Sequence, residues 1–126
     1  MFERLVRVRW SDSDALGHVN HAVFLTYLEE GRDAFYRQVL GDPNYVVARI
    51  EMDLRAEVRH GEEQVTVRIQ AERLGTTSLT TQETILTSSG EVAAEARVVT
   101  VRWDADRRQP MPFSPAERER LAELSG

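Results

Sequence analysis

The residues able to do chemistry crowd into one short string, Asp12-Ser13-Asp14-Ala15-Leu16-Gly17-His18-Val19-Asn20-His21. It holds two carboxylates, two of the chain's three histidines, and an asparagine directly before the second of them. Three readings compete. Two carboxylates with a His-x-x-His spacing could hold a divalent ion, provided both imidazoles face one point. Alternatively, the polar groups only shape a loop. Asn20 is a favoured N-cap, Asp12 and Asp14 suit Asx-turns, and Gly17 allows a tight bend. The third reading is catalytic. A helix start leaves backbone N–H groups unpaired and carries partial positive charge. With Asn20 as N-cap, the N–H of His21 could bond a carbonyl oxygen that is becoming an oxyanion. A carboxylate upstream could attack that carbonyl, or take a proton from an attacking water. Acyl transfer without Ser or Cys needs little more.

The spacing on either side predicts the elements that position this string. Phe2, Val6, Val8 and Trp10 share one face of a strand over 1–10, and 11–20 reads as a loop. From His21 to Leu40 the spacing is helical. Phe24, Leu28, Gly31, Phe35 and Val39 form the apolar stripe, flanked by Leu25, Tyr27 and Ala34. Thr26, Glu29, Glu30, Asp33 and Arg37 lie opposite, and Gly41-Asp42-Pro43 stops the helix. The period then drops to two. Val46 to Val58 alternate, His60-Gly61-Glu62-Glu63 turns, and Val65 to Ala71 alternate again. Gly75 breaks that run, a Thr-rich strand follows over 78–87, Ser88-Ser89-Gly90 turns, and a last strand runs through Trp103. Short loops containing Gly predict consecutive antiparallel hairpins. Ser114 and Pro115 open a short final helix as N-cap and first helical residue. One long helix and a sheet of matched length make a core only if the sheet curls over the helix. The expected class is therefore α+β, and the open edges of such a sheet call for a second copy.

The 126 residues fit a single domain over 1–126, and 41% hydrophobic with 29% charged residues is the composition of a folded protein. The absence of Cys excludes thiol nucleophiles, disulfide scaffolds and Cys-ligated metals. Net charge is −5 and all 16 basic residues are Arg, a poor balance for duplex nucleic acid. The sequence shows no long apolar run and no signal pattern, so no membrane partner and a cytoplasmic location are expected.

The string WSDSDALGHVNHAVFLTYLEEGR resembles the signature of the hotdog-fold acyl-CoA thioesterases, in the 4-hydroxybenzoyl-CoA thioesterase-like branch. That signature runs from a strand through Asp-x-Asp, Gly and an Asn-containing pair into a helix carrying Tyr-Leu, Glu and Arg. VRHGEEQVTVRIQAERLGTTSLT is similar to the family's hairpin, and with PFSPAERERL the resemblance spans essentially the whole chain. Two positions depart from the pattern: Phe24 stands where Tyr is commoner, and Glu62 where Asp is usual.

The resemblance implies a long central helix wrapped by a curved antiparallel sheet of about five strands, with a short C-terminal helix. It implies hydrolysis of an acyl-CoA thioester to a free acid and CoA. Asp14 would be nucleophile or general base, the His21 N–H would polarise the thioester, and Asn20 would line the same site. Glu29 matches a helix carboxylate facing the pocket, although helical spacing alone makes it a solvated residue at the edge of the polar face. The anionic nucleotide of CoA would meet Arg59, Arg73 and the Gly75-Thr76-Thr77-Ser78 turn, partly from a neighbouring subunit. Exposed strand faces carry many paired charges, so either arginine alone reads more readily as a surface residue than as a ligand, and His60 reads as a turn residue. No metal and no cofactor are implied, coenzyme A being part of the substrate. The expected assembly is a homodimer within a homotetramer. Two alternatives stand beside hydrolysis. A hotdog hydratase or dehydratase would carry a His-Phe-Pro-Gly motif, which is absent. A non-catalytic acyl-CoA-binding domain gains nothing from Asp14, a carboxylate placed beside an electrophilic carbonyl and an anionic ligand.

Overall fold

The helical spacing after Asn20 produces α1 (His21–Phe35), which continues through one π-helical turn (Tyr36–Leu40) to Gly41. Gly41 takes a φ of 73°, a left-handed conformation that glycine adopts without a Cβ clash, and the helix ends there. The computed structural model describes residues 1–124. Six antiparallel strands accompany the helix: β1 (Phe2–Arg7), β2 (Tyr45–Leu54), β3 (Gln64–Leu74), β4 (Ser78–Leu86), β5 (Val92–Asp104) and the short β6 (Gln109–Pro110). The five long ones lie in the order β1-β3-β4-β5-β2, with β6 beside β5. A second helix, α2 (Pro115–Ala122), starts at Ser114, whose Oγ accepts the Glu117 N–H while the Glu117 carboxylate accepts the Ser114 N–H. The curled sheet over one long helix is the hotdog arrangement, as expected.

The core is the seam between helix and sheet. Phe24, Tyr27, Leu28 and Phe35 of α1 bury against a layer that includes Val67, Ile69, Leu79, Ile85 and Val98. Gly31 lets the helix approach β3 closely, because a Cβ there would sit 2.6 Å from Val67 Cγ1. Arg32 reaches the same sheet through a buried bidentate pair with Glu83 on β4, at 3.0 and 2.7 Å. Burial alone would lower the Arg32 pKa, but the hydrogen bonds and charge of Glu83 outweigh it and raise the pKa above its ordinary value.

Three expectations need correction. The strands are not a string of consecutive hairpins, for β2 pairs with β5, from Tyr45↔Arg102 to Leu54↔Ala94. Residues 55–63 cross from that edge to enter β3 beside β1, burying Val58 on the way. Alternation reports which faces are wet, not which strand is the neighbour. Secondly, β1 stops at Arg7 rather than residue 10, and Trp10–Asp12 forms a 3-10 turn. The Asp12 carboxylate accepts the Arg9 N–H at 2.8 Å and curls the chain out of the sheet, leaving Trp10 84% exposed. Thirdly, β2 has no buried face of its own: Val46, Val47, Ile50 and Leu54 are all exposed on this edge strand.

Candidate active site

The loop between β1 and α1 is held on two sides. On its outer side the Val19 N–H donates to Val58 O at 2.7 Å and the His60 N–H donates to Gly17 O at 2.9 Å, both on the crossing segment. His60 Nδ1 also lies 2.9 Å from Ser13 Oγ. On its inner side the Asn20 N–H donates to Asp12 O at 3.0 Å, and the buried Tyr27 hydroxyl donates to Asp12 Oδ2 at 2.7 Å. Burial first, then the Asp12 carboxylate, holds the Tyr27 phenol above its usual range. The crossing of β2 to the far edge thus supplies one wall of the loop, and α1 the other.

Asp14 sits within these ties, half-buried. Its Oδ1 accepts the Leu16 N–H at 2.9 Å and its own N–H donates to His18 O at 3.0 Å. A carboxylate has about four acceptor positions, so this Asx-turn leaves most of its capacity unspent. Asn20 is the N-cap of α1 as the spacing indicates, its Oδ1 accepting the Ala22 N–H at 2.9 Å. His21 follows as the first helical residue, with its side chain exposed. Helix geometry gives that N–H no intrahelical acceptor. A lightly engaged carboxylate and a helix amino terminus therefore belong to one short, braced loop. That combination can polarise a carbonyl and deliver a carboxylate oxygen, or a water, to it.

The other expected residues divide by place. Glu29 is exposed on α1 in the single chain. Arg59 is exposed at the rim, where its backbone bridges His18 and its guanidinium pairs with Glu57 at 3.0 Å. Arg73 and Gly75 to Ser78 are not brought to this loop. β1 pairs Arg7 with Gln64, so the loop lies at the Gln64 end of β3, whereas Arg73 and the turn lie at its Leu74 end. Eleven residues of strand separate those ends, roughly 30 Å or more. The Gly75 to Ser78 turn is braced by the C-terminal segment instead: Arg118 donates to Gly75 O at 2.9 Å and the Phe113 N–H donates to Thr76 O at 3.1 Å.

Two contributions escaped the sequence reading. Glu62 joins the two turns at the loop's end of the sheet, accepting from the Arg59 N–H at 2.6 Å and from Ser88 N–H and Oγ at 2.9 and 2.8 Å. Burial pushes its pKa up, but these donors outweigh that and hold it below the usual carboxylate value. The Asp12–Tyr27 contact is the other, and no spacing rule links a loop aspartate to a buried helix tyrosine. For the metal reading, the described residues contain no group of three or more His, Asp or Glu placed to hold an ion.

The Thioesterase-like superfamily model matches residues 8–121, from just past β1 into α2. The chain belongs to that superfamily. Among solved structures it is similar to a Thermus thermophilus thioesterase complexed with coenzyme A and Zn. The two are 36% identical, with 98% of this chain and 94% of that one covered, at a TM-score of 0.84. It is also similar to a protein of Bacillus stearothermophilus described as a predicted thioesterase, at 31% identity, 99% and 96% coverage and a TM-score of 0.88. A probable thioesterase of Escherichia coli, YbaW, is 22% identical over the full length of both chains at a TM-score of 0.77, a likeness of fold alone. No curated protein matches this chain. Membership of the superfamily supports thioester hydrolysis as the activity class, and no helix among the described residues is long and apolar enough to cross a membrane.

Proposed function

We propose that this thioesterase-like protein hydrolyses acyl-CoA, with Asp14 and the amino terminus of α1 as its chemical groups. The observation that carries the reading is the lightly engaged Asp14 carboxylate on the same braced loop that delivers the free His21 N–H. The thioester oxygen accepts that N–H, which draws charge onto the oxygen as the carbonyl carbon is attacked. Asp14 either attacks directly, forming a mixed anhydride that a water then hydrolyses to regenerate the carboxylate, or removes a proton from the water that attacks the thioester. In both cases the C–S bond breaks, CoA leaves as thiol after protonation, and the acyl group departs as the free acid. Asn20 holds the helix start in register, and Glu29 faces the acyl pocket once a partner covers it. The Thermus thioesterase complexed with coenzyme A supports the choice of a CoA-linked substrate. No resident cofactor or metal enters this scheme, and the setting proposed for it is the cytoplasm.

The partner is a second copy, in a homodimer that pairs again into a homotetramer. β2 is an edge strand with Val46, Val47, Ile50 and Leu54 exposed, and an antiparallel copy of β2 would cover it. Antiparallel pairing swaps the ends of the sheet. It carries the Gly75 to Ser78 turn and Arg73 of one copy toward the loop end of the other, which accounts for their separation within one chain. There they join Arg59 in meeting the anionic part of CoA.

The test is release of CoA thiol from a panel of acyl-CoAs, with Asp14→Asn beside the parent chain. Asp14→Asn keeps shape and removes both proposed roles, so kcat falls by about 10²–10⁴ while binding survives. Hydration of an enoyl-CoA without thiol release, or saturable binding without turnover in the parent chain, would replace this reading with one of its alternatives.

A further inference from the structure

Asp12 is 8% exposed, a carboxylate buried beneath the Asp14 loop, and the hydrolytic chemistry makes no use of it. Burying a charge is costly unless donors surround it. Here one oxygen, Oδ2, accepts both the Arg9 N–H at 2.8 Å and the Tyr27 hydroxyl at 2.7 Å. The backbone oxygen of Asp12 accepts the Asn20 N–H at 3.0 Å. Asp12 therefore joins three parts: the end of β1 through Arg9, the interior of α1 through Tyr27, and the cap of α1 through Asn20. Asp14 lies between the two ends of the loop that Asp12 and Asn20 bring together.

Tyr27 is fully buried among apolar neighbours, with the Phe24 ring at a centroid distance of 6.3 Å. A phenylalanine would fill that space without a hydroxyl to satisfy, so packing alone does not call for Tyr. Among the described residues its hydroxyl hydrogen-bonds to the Asp12 carboxylate and to no other group.

We infer that Tyr27 and Asp12 form a positioning pair that sets the Asp14 carboxylate against the amino end of α1. The inference rests on the catalytic reading of Asp14. Neither side chain touches the substrate. The pair acts by fixing the loop, and a loop that drifts by about an ångström at a reacting centre loses on the order of 10² in rate.

The experiment is Tyr27→Phe, alone and combined with Asp14→Asn, assayed for acyl-CoA turnover and for amide hydrogen exchange over residues 13–20. Tyr27→Phe should lower kcat by about 10- to 100-fold with KM within about twofold, because the loss is one of alignment and not of binding. In the Asp14→Asn background it should cost nothing more, and exchange across the loop should speed up in both backgrounds. Asp12→Asn keeps an oxygen able to accept both bonds and should retain most of kcat, whereas Asp12→Ala should match Tyr27→Phe. This Asn and Ala comparison carries the test if Tyr27→Phe fails to fold. Unchanged kcat in Tyr27→Phe, an equal loss in both backgrounds, or unaltered loop exchange would overturn the inference. Full activity of Asp14→Asn by itself would instead sink the catalytic reading, through a measurement that does not involve Tyr27.

Discussion

Neutralising Glu83 exposes how α1 is fixed to the sheet. The Arg32 and Glu83 side chains are 3% and 0% exposed, and the carboxylate also accepts Thr81 Oγ1 at 2.6 Å. Glu83→Gln preserves volume and leaves one acceptor, but the guanidinium becomes a buried charge without a counter-ion. Breaking such a pair costs about 3–5 kcal/mol. Unfolding entropy near 2.1 cal/mol/K per residue gives about 0.26 kcal/mol/K for 126 residues, so the melting temperature should drop by about 11–19 °C. Calorimetry against two controls tests this. The Arg97–Glu72 pair is 55% and 41% exposed, and Glu72→Gln should shift melting by no more than about 4 °C. Replacing both buried partners, as Arg32→Met with Glu83→Met, removes the stranded charge and should recover much of the loss. A Glu83→Gln variant melting as the parent does would mean that this pair is not dry, and the account of the seam would fail.

Three further outcomes follow from the geometry. His21→Pro deletes the proposed oxyanion donor at a position where proline is tolerated, so kcat should fall by about 10²–10³, while His21→Ala keeps the N–H and most of the rate. Equal loss in both variants would assign the chemistry to the imidazole. Burial pushes the Tyr36 phenol up to about 12, and burial with Asp12 or Asp33 raises Tyr27 and Tyr45 as well. Raised phenols contribute stability that is complete below their ordinary pKa of about 10 and is lost as pH rises through the folded values. Absorbance at the phenolate band should therefore stay low past pH 10 until the chain unfolds, and a phenol ionising normally in folded protein would contradict the burial. Light scattering at micromolar concentration should give at least a dimer, and a monomeric mass in an active sample would refute the shared site.

The local chemistry of this protein is legible along the chain, because it depends on neighbours in sequence. Asn20 caps the helix, Asp14 makes an Asx-turn, Gly41 ends the helical run, and Ser114 caps the last helix. Hydrophobic period located α1 and the long strands for the same reason. What tertiary structure alone decided are the contacts between residues far apart in sequence. Period cannot say that β2 lies across the sheet from β3, and that crossing is what places Val58 and His60 against the Asp14 loop. Asp12 and Asp14 look alike in the string, yet only the fold buries one beneath a tyrosine and leaves the other lightly engaged. Arg73 and the Gly75 to Ser78 turn read as neighbours of the site by resemblance, and a strand's length holds them away within one chain. Sequence patterns encode which groups can do chemistry and which face is apolar. Long-range pairing settles which of those groups meet, because its energy comes from packing surfaces that no single segment carries.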